Sequence, residues 1–339
     1  MMELNAVPSR TQSASRLIAL DWGTSALRAH LLGAHGEMLE TRTQPWGIMR
    51  TPNGDFAQAF RMMTNDWRQR APYLPAIASG MIGSAQGWLE VPYKTCPAGL
   101  DDLVDGLQSL VETDIRLHIV PGIAVRGDLP DVMRGEETQV IGALECVPGL
   151  RTDACLVLPG THSKWVTVRD ARIETFSTYM TGELFAVLRD HSILGRPAIA
   201  AGVGSDAENA NALSAGFDRG VVAVRDHACV GLSALIFSAR TLMLTGQLPP
   251  VDTLSYLSGL LIGEELRSAL ARCGLCDKGP VTLIGDPQLC ARYARAFELF
   301  DIPHVVVIED AATAGLWRIA VRAALIFEDG ATALTEPTA

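Results

Sequence analysis

Two places in the sequence join an apolar run to a short glycine-threonine turn. Leu17-Ile18-Ala19-Leu20 meets Asp21-Trp22-Gly23-Thr24-Ser25, and Cys155-Leu156-Val157-Leu158 meets Pro159-Gly160-Thr161-His162-Ser163-Lys164. Glycine and threonine at a tight strand-to-strand turn can aim backbone N–H groups and a hydroxyl inward, which makes a cradle for phosphate oxygens. A single turn of this kind is more often an ordinary hairpin. The pair weighs differently, because two such turns facing each other across a cleft would hold a triphosphate from both sides. Gly160-Thr161 falls on Gly23-Thr24 when the two segments are overlaid, with Ser163 one place beyond Ser25. Asp21, at the end of its strand, would be placed to hold a hydrated Mg²⁺, since magnesium prefers a carboxylate plus waters.

These turns need strands on either side of them. The first half reads as strand, polar turn, strand, turn and strand from Leu17 to Thr43, then an amphipathic helix over 55–71. A short buried strand at Pro75–Ser79 runs into the Gly/Ser-rich turn Gly80–Ser84. A helix is expected over 99–113, a strand at His118–Pro121, and a helix opening at Arg134-Gly135-Glu136-Glu137-Thr138 and running to Leu144. A boundary falls at Pro148–Asp153, beyond which the pattern restarts with strands at 155–158, 165–168 and 172–176. Helices are expected near 181–190, 205–217, 226–245 and 253–273. A strand at Val281–Ile284 leads into Gly285-Asp286-Pro287-Gln288 and a helix to Phe300; a strand at 305–308 and a long helix over 311–327 follow. The repeat of strand, Gly-Thr turn and strand, once per half, is the main organisational signal.

Composition narrows the class. At 339 residues with 48% hydrophobic and 19% charged, the chain has material for about two domains and little tendency to disorder. A net charge of −10 argues against a nucleic-acid partner. Neither a bilayer-spanning apolar run nor a secretory signal is evident, and seven scattered cysteines do not suggest a disulfide framework. A soluble cytoplasmic protein is expected. Three motifs are decoys. Gly202–Ala207 fits G-x-G-x-x-A without a convincing preceding strand, Cys273–Cys276 is a lone C-x-x-C, and no G-x-x-x-x-G-K-[ST] occurs.

Asp21-x-Gly23-Thr24-Ser25 followed by Arg28 resembles the first phosphate loop of the actin-like ATPase fold, and Pro159–Lys164 stands where the second belongs. LDWGTSALRA, ASGMIGSAQGW, MRGEETQVIGAL, LPGTHSKW and YMTGELF, in order over residues 20 to about 190, together resemble the 2-dehydro-3-deoxygalactonokinase family. Weaker similarity (LSGLLIGEE, LIGD) continues to about 286. One departure is Leu158-Pro159, where many superfamily members place an Asp.

The resemblance implies an α/β, two-lobed actin-like ATPase (ribonuclease H-like) fold, with a mixed sheet in each lobe and an interdomain cleft. One lobe would hold 16–148 plus 312–330, the other 149–311. It implies ATP-dependent phosphorylation of 2-dehydro-3-deoxy-D-galactonate at its terminal hydroxyl, with ATP and Mg²⁺ as cofactors and a homodimer as the default assembly. ATP phosphates would contact Gly23, Thr24, Ser25, Gly160, Thr161, His162, Ser163 and Lys164, with Lys164 toward the terminal phosphate and Asp21 reaching Mg²⁺ through water. The acid that opens the helix before the crossing takes the proton of the attacking alcohol, and Glu136 holds that place by spacing. Successive helical residues point about 100° apart, so Glu137 would face away; both acids also suit the helix dipole without any catalytic role. The sugar-acid pocket would draw on Trp22, Met81, Gly83, Ser84, Gln86 and Trp88, with Tyr93 beside them. The substrate carboxylate calls for a cation, and Arg28, Arg134 and Lys94 stand equal as candidates. Gly285 and Gln288 resemble an adenosine-binding turn, and Gly315 would bring the last helix close to the cleft. A phosphohydrolase or nucleotide-gated sensor of the same fold, or a kinase for the gluconate epimer, remains an alternative.

Overall fold

Leu17–Trp22 (β1) is buried at every position but Asp21, as a strand covered on both faces must be. In this computed structural model, which describes residues 15–196, 198, 214–273, 280–302, 307–309 and 311–327, β1 pairs antiparallel with Leu27–Leu32 (β2), Asp21 standing opposite Arg28. β2 pairs with Met38–Gln44 (β3), a half-exposed edge strand. Phe56–Arg70 (α1) starts where the Asp55 carboxylate accepts the Gln58 N–H, and buries Phe60, Met63 and Trp67. Ala76–Ser79 (β4) then lies parallel to β1.

Short elements follow: Lys94–Thr95 (β5), Ala98–Gly99 (β6), Leu100–Asp105 (α2), Gln108–Glu112 (β7), Ile115–Ile119 (β8), Ile123–Val125 (β9) and Asp131–Met133 (β10). The helix expected over 99–113 ends at Asp105. Gly106 caps it, and 108–112 turns back as a hairpin on β8. The first sheet has the order β3-β2-β1-β4-β8-β7, and β10-β9-β5 form a small sheet of their own.

Glu136–Cys146 (α3) leads to Asp153–Leu158 (β11), Ser163–Arg169 (β12) and Arg172–Tyr179 (β13), a second antiparallel meander. Thr181–His191 (α4), Ala215–Asp226 (α5), Leu232–Leu235 (α6), Ser238–Leu244 (α7) and Thr253–Cys273 (α8) follow, then Thr282–Ile284 (β14), Pro287–Leu299 (α9), Val307–Ile308 (β15) and Ala311–Arg322 (α10). The single helix expected over 226–245 is two short ones, because the chain turns at 227–231 before α6 begins. Most of the helix expected at 205–217 lies outside the described residues, as do Gly202–Ala207, Cys276 and the tail from 328; the last helix stops at Arg322 rather than 327.

The second sheet has the order β15-β14-β11-β12-β13-β6, so β13-β12-β11-β14-β15 repeats the β3-β2-β1-β4-β8 arrangement of the first. Its edge strand β6 comes from the chain's first half. One core joins both sheets: Leu17 and Ala19 of β1, Val140 and Leu144 of α3, Leu316 and Ile319 of α10, and Leu156 and Leu158 of β11 belong to a single cluster. α3 and α10 therefore lie between the sheets. They cross closely because Gly142 faces the Ala311 carbonyl and Gly315 faces the Thr138 carbonyl, with no room for a side chain at either. The outer faces are covered separately, β1 by α1 and the second sheet by α5, α8 and α9.

Candidate active site

The first turn is fixed from inside and behind. The Gly23 N–H donates to the Ala26 carbonyl (3.0 Å) and the Ile48 N–H to the Gly23 carbonyl (3.0 Å). Gly47 backs onto Thr24 so closely that no Cβ would fit. Thr24 and Ser25 are exposed. The Arg28 guanidinium lies 3.2 Å from the Asp21 carboxylate.

The second turn is built alike. The Thr161 carbonyl accepts the Glu183 N–H (3.0 Å), and a Cβ on Gly182 would stand 2.5 Å from the Gly160 oxygen. The N-terminus of α4 thus buttresses Gly160-Thr161. His162 pairs with Glu183 at the surface. Lys164 points the other way and is 4% exposed. Its Nζ is 3.1 Å from the His162 carbonyl and 3.2 Å from Oε1 of Glu136.

Glu136 reaches that position because of two glycines in the left-handed region, Gly80 (φ 96°) and Gly135 (φ 110°). They pack on each other and on the Trp22 carbonyl, which sets the start of α3 against the end of β1. The other carboxylate oxygen of Glu136, Oε2, accepts the Arg134 N–H at 3.0 Å. Glu137 is fully buried; it accepts the Gly135 N–H (2.7 Å) and the Thr138 hydroxyl (3.1 Å). Burial, and secondarily the charge of Glu136, pushes the Glu137 carboxyl up to about 8. The two acids face differently, as helical geometry requires.

Two cavities meet at Arg28. One, of about 560 Å³, runs from Arg28 past Gly160, Thr161 and Gly182 to an apolar wall of Phe185, Leu261 and Leu289. The other, of about 360 Å³, is lined by Asp21, Arg28, Gln139, Gly285, Asp286 and Glu309. Gly285 lies near the Pro159 carbonyl, whereas Gln288 is exposed and lines neither cavity.

Several expectations need correcting. Trp22 does not face the cleft. It is fully buried against Phe56 and Trp88, its indole N–H donating to the Trp46 carbonyl. Trp88 stacks on Phe56 and donates to Glu112, so these aromatics are core of the α1 side. Ser163 is fully buried rather than phosphate-facing: its hydroxyl meets Tyr293 (2.7 Å), and Tyr293 donates to Glu265. Trp165 and Thr181 also donate to Glu265, whose pKa burial raises against those hydrogen bonds. Gly315 belongs to the α3–α10 crossing, not to a nucleotide. Ser84 turns back on the Met81 carbonyl, while Gln86 is exposed and Met81 half-buried. The Arg134 guanidinium is buried within this loop, donating to the Val91 carbonyl, lying 4.3 Å from the Tyr93 ring and filling the space a side chain at Gly83 would need. Arg28 is on the cleft, while Lys94 packs against Gly106.

The residues not anticipated are Gly47, Gly182, Phe185, Leu261, Leu289 and Glu265. Gly182 and Phe185 stand in the YMTGELF segment, where a glycine in a helix's first turn was the available signal.

Two sheets of repeated topology, with a glycine-threonine turn after the equivalent strand of each, define the actin-like ATPase fold. The ADPNP-bound activator of 2-hydroxyisocaproyl-CoA dehydratase from Clostridium difficile shares that fold, with a TM-score of 0.50 at 11% identity over 91% of this chain and 93% of its own. Within that class, the chain belongs to the 2-keto-3-deoxy-galactonokinase family, whose model matches residues 21–319. It is 36% identical over 309 residues to the 2-dehydro-3-deoxygalactonokinase of Escherichia coli K12, covering 90% of this chain and 98% of that one. A solved structure from Sinorhizobium meliloti, provisionally assigned the same activity, superposes with a TM-score of 0.80 at 35% identity, covering 90% of this chain and 98% of that chain. Among the described residues no helix is long and apolar enough to cross a membrane.

Proposed function

We propose that the protein transfers the terminal phosphoryl group of ATP to the 6-hydroxyl of 2-dehydro-3-deoxy-D-galactonate, as a cytoplasmic enzyme with access to ATP. Family membership supports the substrate class. The observation that carries the chemistry is the 3.2 Å pair between Lys164, beside the second turn, and Glu136, at the start of α3. It brings a candidate phosphate cation and a candidate base to one point.

ATP would lie with its base and ribose in the larger cavity against Phe185, Leu261 and Leu289 and its phosphates at Gly160-Thr161, which line that cavity. The phosphates would reach toward Gly23-Thr24-Ser25, which line neither cavity. Arg28, which lines both cavities, suits the phosphates better than the substrate carboxylate. Asp21, Asp286, Glu309 and Gln139 line the smaller cavity with hard oxygen donors, which suits a magnesium ion that keeps its waters. No group of three metal-ligating side chains occurs among the described residues, so the cation would arrive on the nucleotide and be met by Asp21 through water. When bound, Mg²⁺ supplies neutralisation of phosphate charge.

The acceptor would lie between Glu136 and the 81–86 loop. Its hydroxyl oxygen attacks the γ-phosphorus, and the bond from that phosphorus to the β–γ bridging oxygen breaks. ADP leaves with the electron pair, and the hydroxyl proton passes to Glu136. The two sheets, each with its own helices, would act as lobes closing about the α3–α10 crossing. The test is ADP release, coupled to a dehydrogenase and run against a panel of 2-keto-3-deoxy acids and free sugars, with the product's phosphate located by ³¹P NMR. Acceptor-dependent turnover restricted to the galactonate epimer supports the reading. Turnover confined to another acceptor, or phosphate release without any, overturns it.

A further inference from the structure

Lys164 and Glu136 belong to different sheets' surroundings, yet each is the other's charged partner. In the function proposed above, both have another task. Lys164 is to meet the terminal phosphate, and Glu136 is to accept a proton. A carboxylate oxygen engaged with a buried ammonium is not free to meet an acceptor hydroxyl, and the ammonium cannot serve two anions fully.

The geometry offers a way out. Lys164 holds a second bond, to the His162 carbonyl in the turn itself (3.1 Å), so its ammonium stays at the turn if the carboxylate is given up. Glu136 likewise keeps a second anchor: Oε2 accepts the Arg134 N–H at 3.0 Å, while Oε1 lies 3.2 Å from Lys164. Withdrawal of the lysine would leave Oε1 unpaired and still aimed from the start of α3. A lysine on its flexible stem, with three rotatable donors, suits such an exchange better than a forked guanidinium would. A terminal phosphate carries more negative charge than a carboxylate, and in the pose proposed above a diphosphate would lack the group that meets Lys164.

We propose that Lys164 is exchanged between Glu136 and the terminal phosphate of the incoming nucleotide, so that the carboxylate is released to the acceptor hydroxyl only when a triphosphate is seated. Lys164 is in this sense a positioning residue for the base as well as a phosphate partner. The arrangement withholds the base while ADP occupies the cleft, and it rests on the kinase reading above.

Calorimetric titration of the full chain with Mg·ADP and with the non-hydrolysable Mg·AMP-PNP tests this directly. In wild type, the triphosphate must break the ion pair; in Glu136→Gln it need not. Glu136→Gln should bind AMP-PNP about 3–10-fold more tightly than wild type, the equivalent of one modest ion pair, with ADP affinity unchanged. In a Lys164→Met background, the same Glu136→Gln change should no longer affect AMP-PNP. Equal AMP-PNP affinity in wild type and Glu136→Gln overturns the exchange. So does tightening that is equal for ADP, or that persists without Lys164, since either reports simple loss of repulsion. The comparison of the two nucleotides on Glu136→Gln stands even if Lys164→Met fails to fold. Absence of AMP-PNP binding to both wild type and Glu136→Gln would instead overturn the kinase reading itself.

Discussion

Gly160→Ala separates what the fold needs from what the nucleotide needs. A Cβ built at Gly160 meets nothing within 4 Å, and the residue is not in the left-handed region. The substitution should therefore leave the apo protein as stable as wild type, or stabilise it by about 0.4–1 kcal/mol through the unfolded chain. A phosphate oxygen accepting a backbone N–H must come to roughly 2.7–3.2 Å from the nitrogen, and the new methyl would occupy part of that approach. Misplacing the phosphates by about 1 Å costs on the order of 10²-fold in rate. Gly182→Ala attacks the same turn from behind. Its Cβ would lie 2.5 Å from the Gly160 oxygen, against an ordinary contact of about 3.5 Å, so the turn must move by about 1 Å without any ligand. Gly182→Ala should lose both melting temperature and turnover; Gly160→Ala should lose kcat/KM for ATP and keep its melting temperature. Gly149→Ala, also in open space but in the turn before β11, should change neither. The assays are thermal melting and ADP release under ATP titration. Wild-type ATP kinetics in Gly160→Ala would refute the reasoning, because nothing would then approach the backbone there.

Glu136→Gln keeps the shape and removes the basicity, so turnover should fall by about 10²–10⁴-fold. Glu137→Gln is the control and should retain most activity in the same ADP-release assay; equal losses in both would put the register of α3 in error. Glu137 also predicts a pH dependence of stability. A carboxyl raised to about 8 in the folded protein keeps a proton that the unfolded chain loses near 4.5. The stability this confers is whole below about pH 4.5 and is lost as pH rises through 8, by an order of a few kcal/mol. Urea titrations at pH 5 and pH 8 should show that loss in wild type and a flatter response in Glu137→Gln; identical slopes would mean the buried group carries no proton. Asp21→Asn should raise the magnesium requirement of turnover far more than the KM for the sugar acid. Unchanged magnesium titration curves would remove Asp21 from the mechanism.

The two meanders were legible because their signal is local. Leu17–Leu20 and Cys155–Leu158 are unbroken apolar runs ending in glycine turns, and those are the properties of a strand covered on both faces. The segment from 94 to 133 was not, for the opposite reason. Leu100, Leu103, Val104 and Leu107 repeat at helical spacing, which made 99–113 look continuous. What ends the helix is Gly106, and what makes 108–112 a strand is its pairing with Ile115–Ile119. β6 is two residues long and owes its existence to Arg172 and Ile173, more than seventy positions away. No window of sequence carries that information.

The two turns and the helix start at Glu136 were legible as local structure, but the direction of individual side chains was misjudged where strand alternation would have decided it. On β1, Ile18, Leu20 and Trp22 share the face packed on α1, whereas Leu17, Ala19 and Asp21 share the face toward α3. Trp22 could not have lined the cleft on the same strand that presents Asp21 to it. On β12, Ser163 and Trp165 lie on the outer face, where Tyr293 and Glu265 receive them, while Val166 and Val168 face the shared core with α3. Lys164 is in phase with those valines, which is why it meets Glu136 rather than solvent. The walls of the larger cavity are a different case. Phe185, Leu261 and Leu289 come from α4, α8 and α9, and each reads in sequence as an ordinary apolar position of an amphipathic helix. They line one cavity where the buried carboxylate of Glu265 ties β12, α4, α8 and α9 together through Trp165, Thr181 and Tyr293. A long-range constraint of that kind is written in four separate segments and is visible only once they are folded.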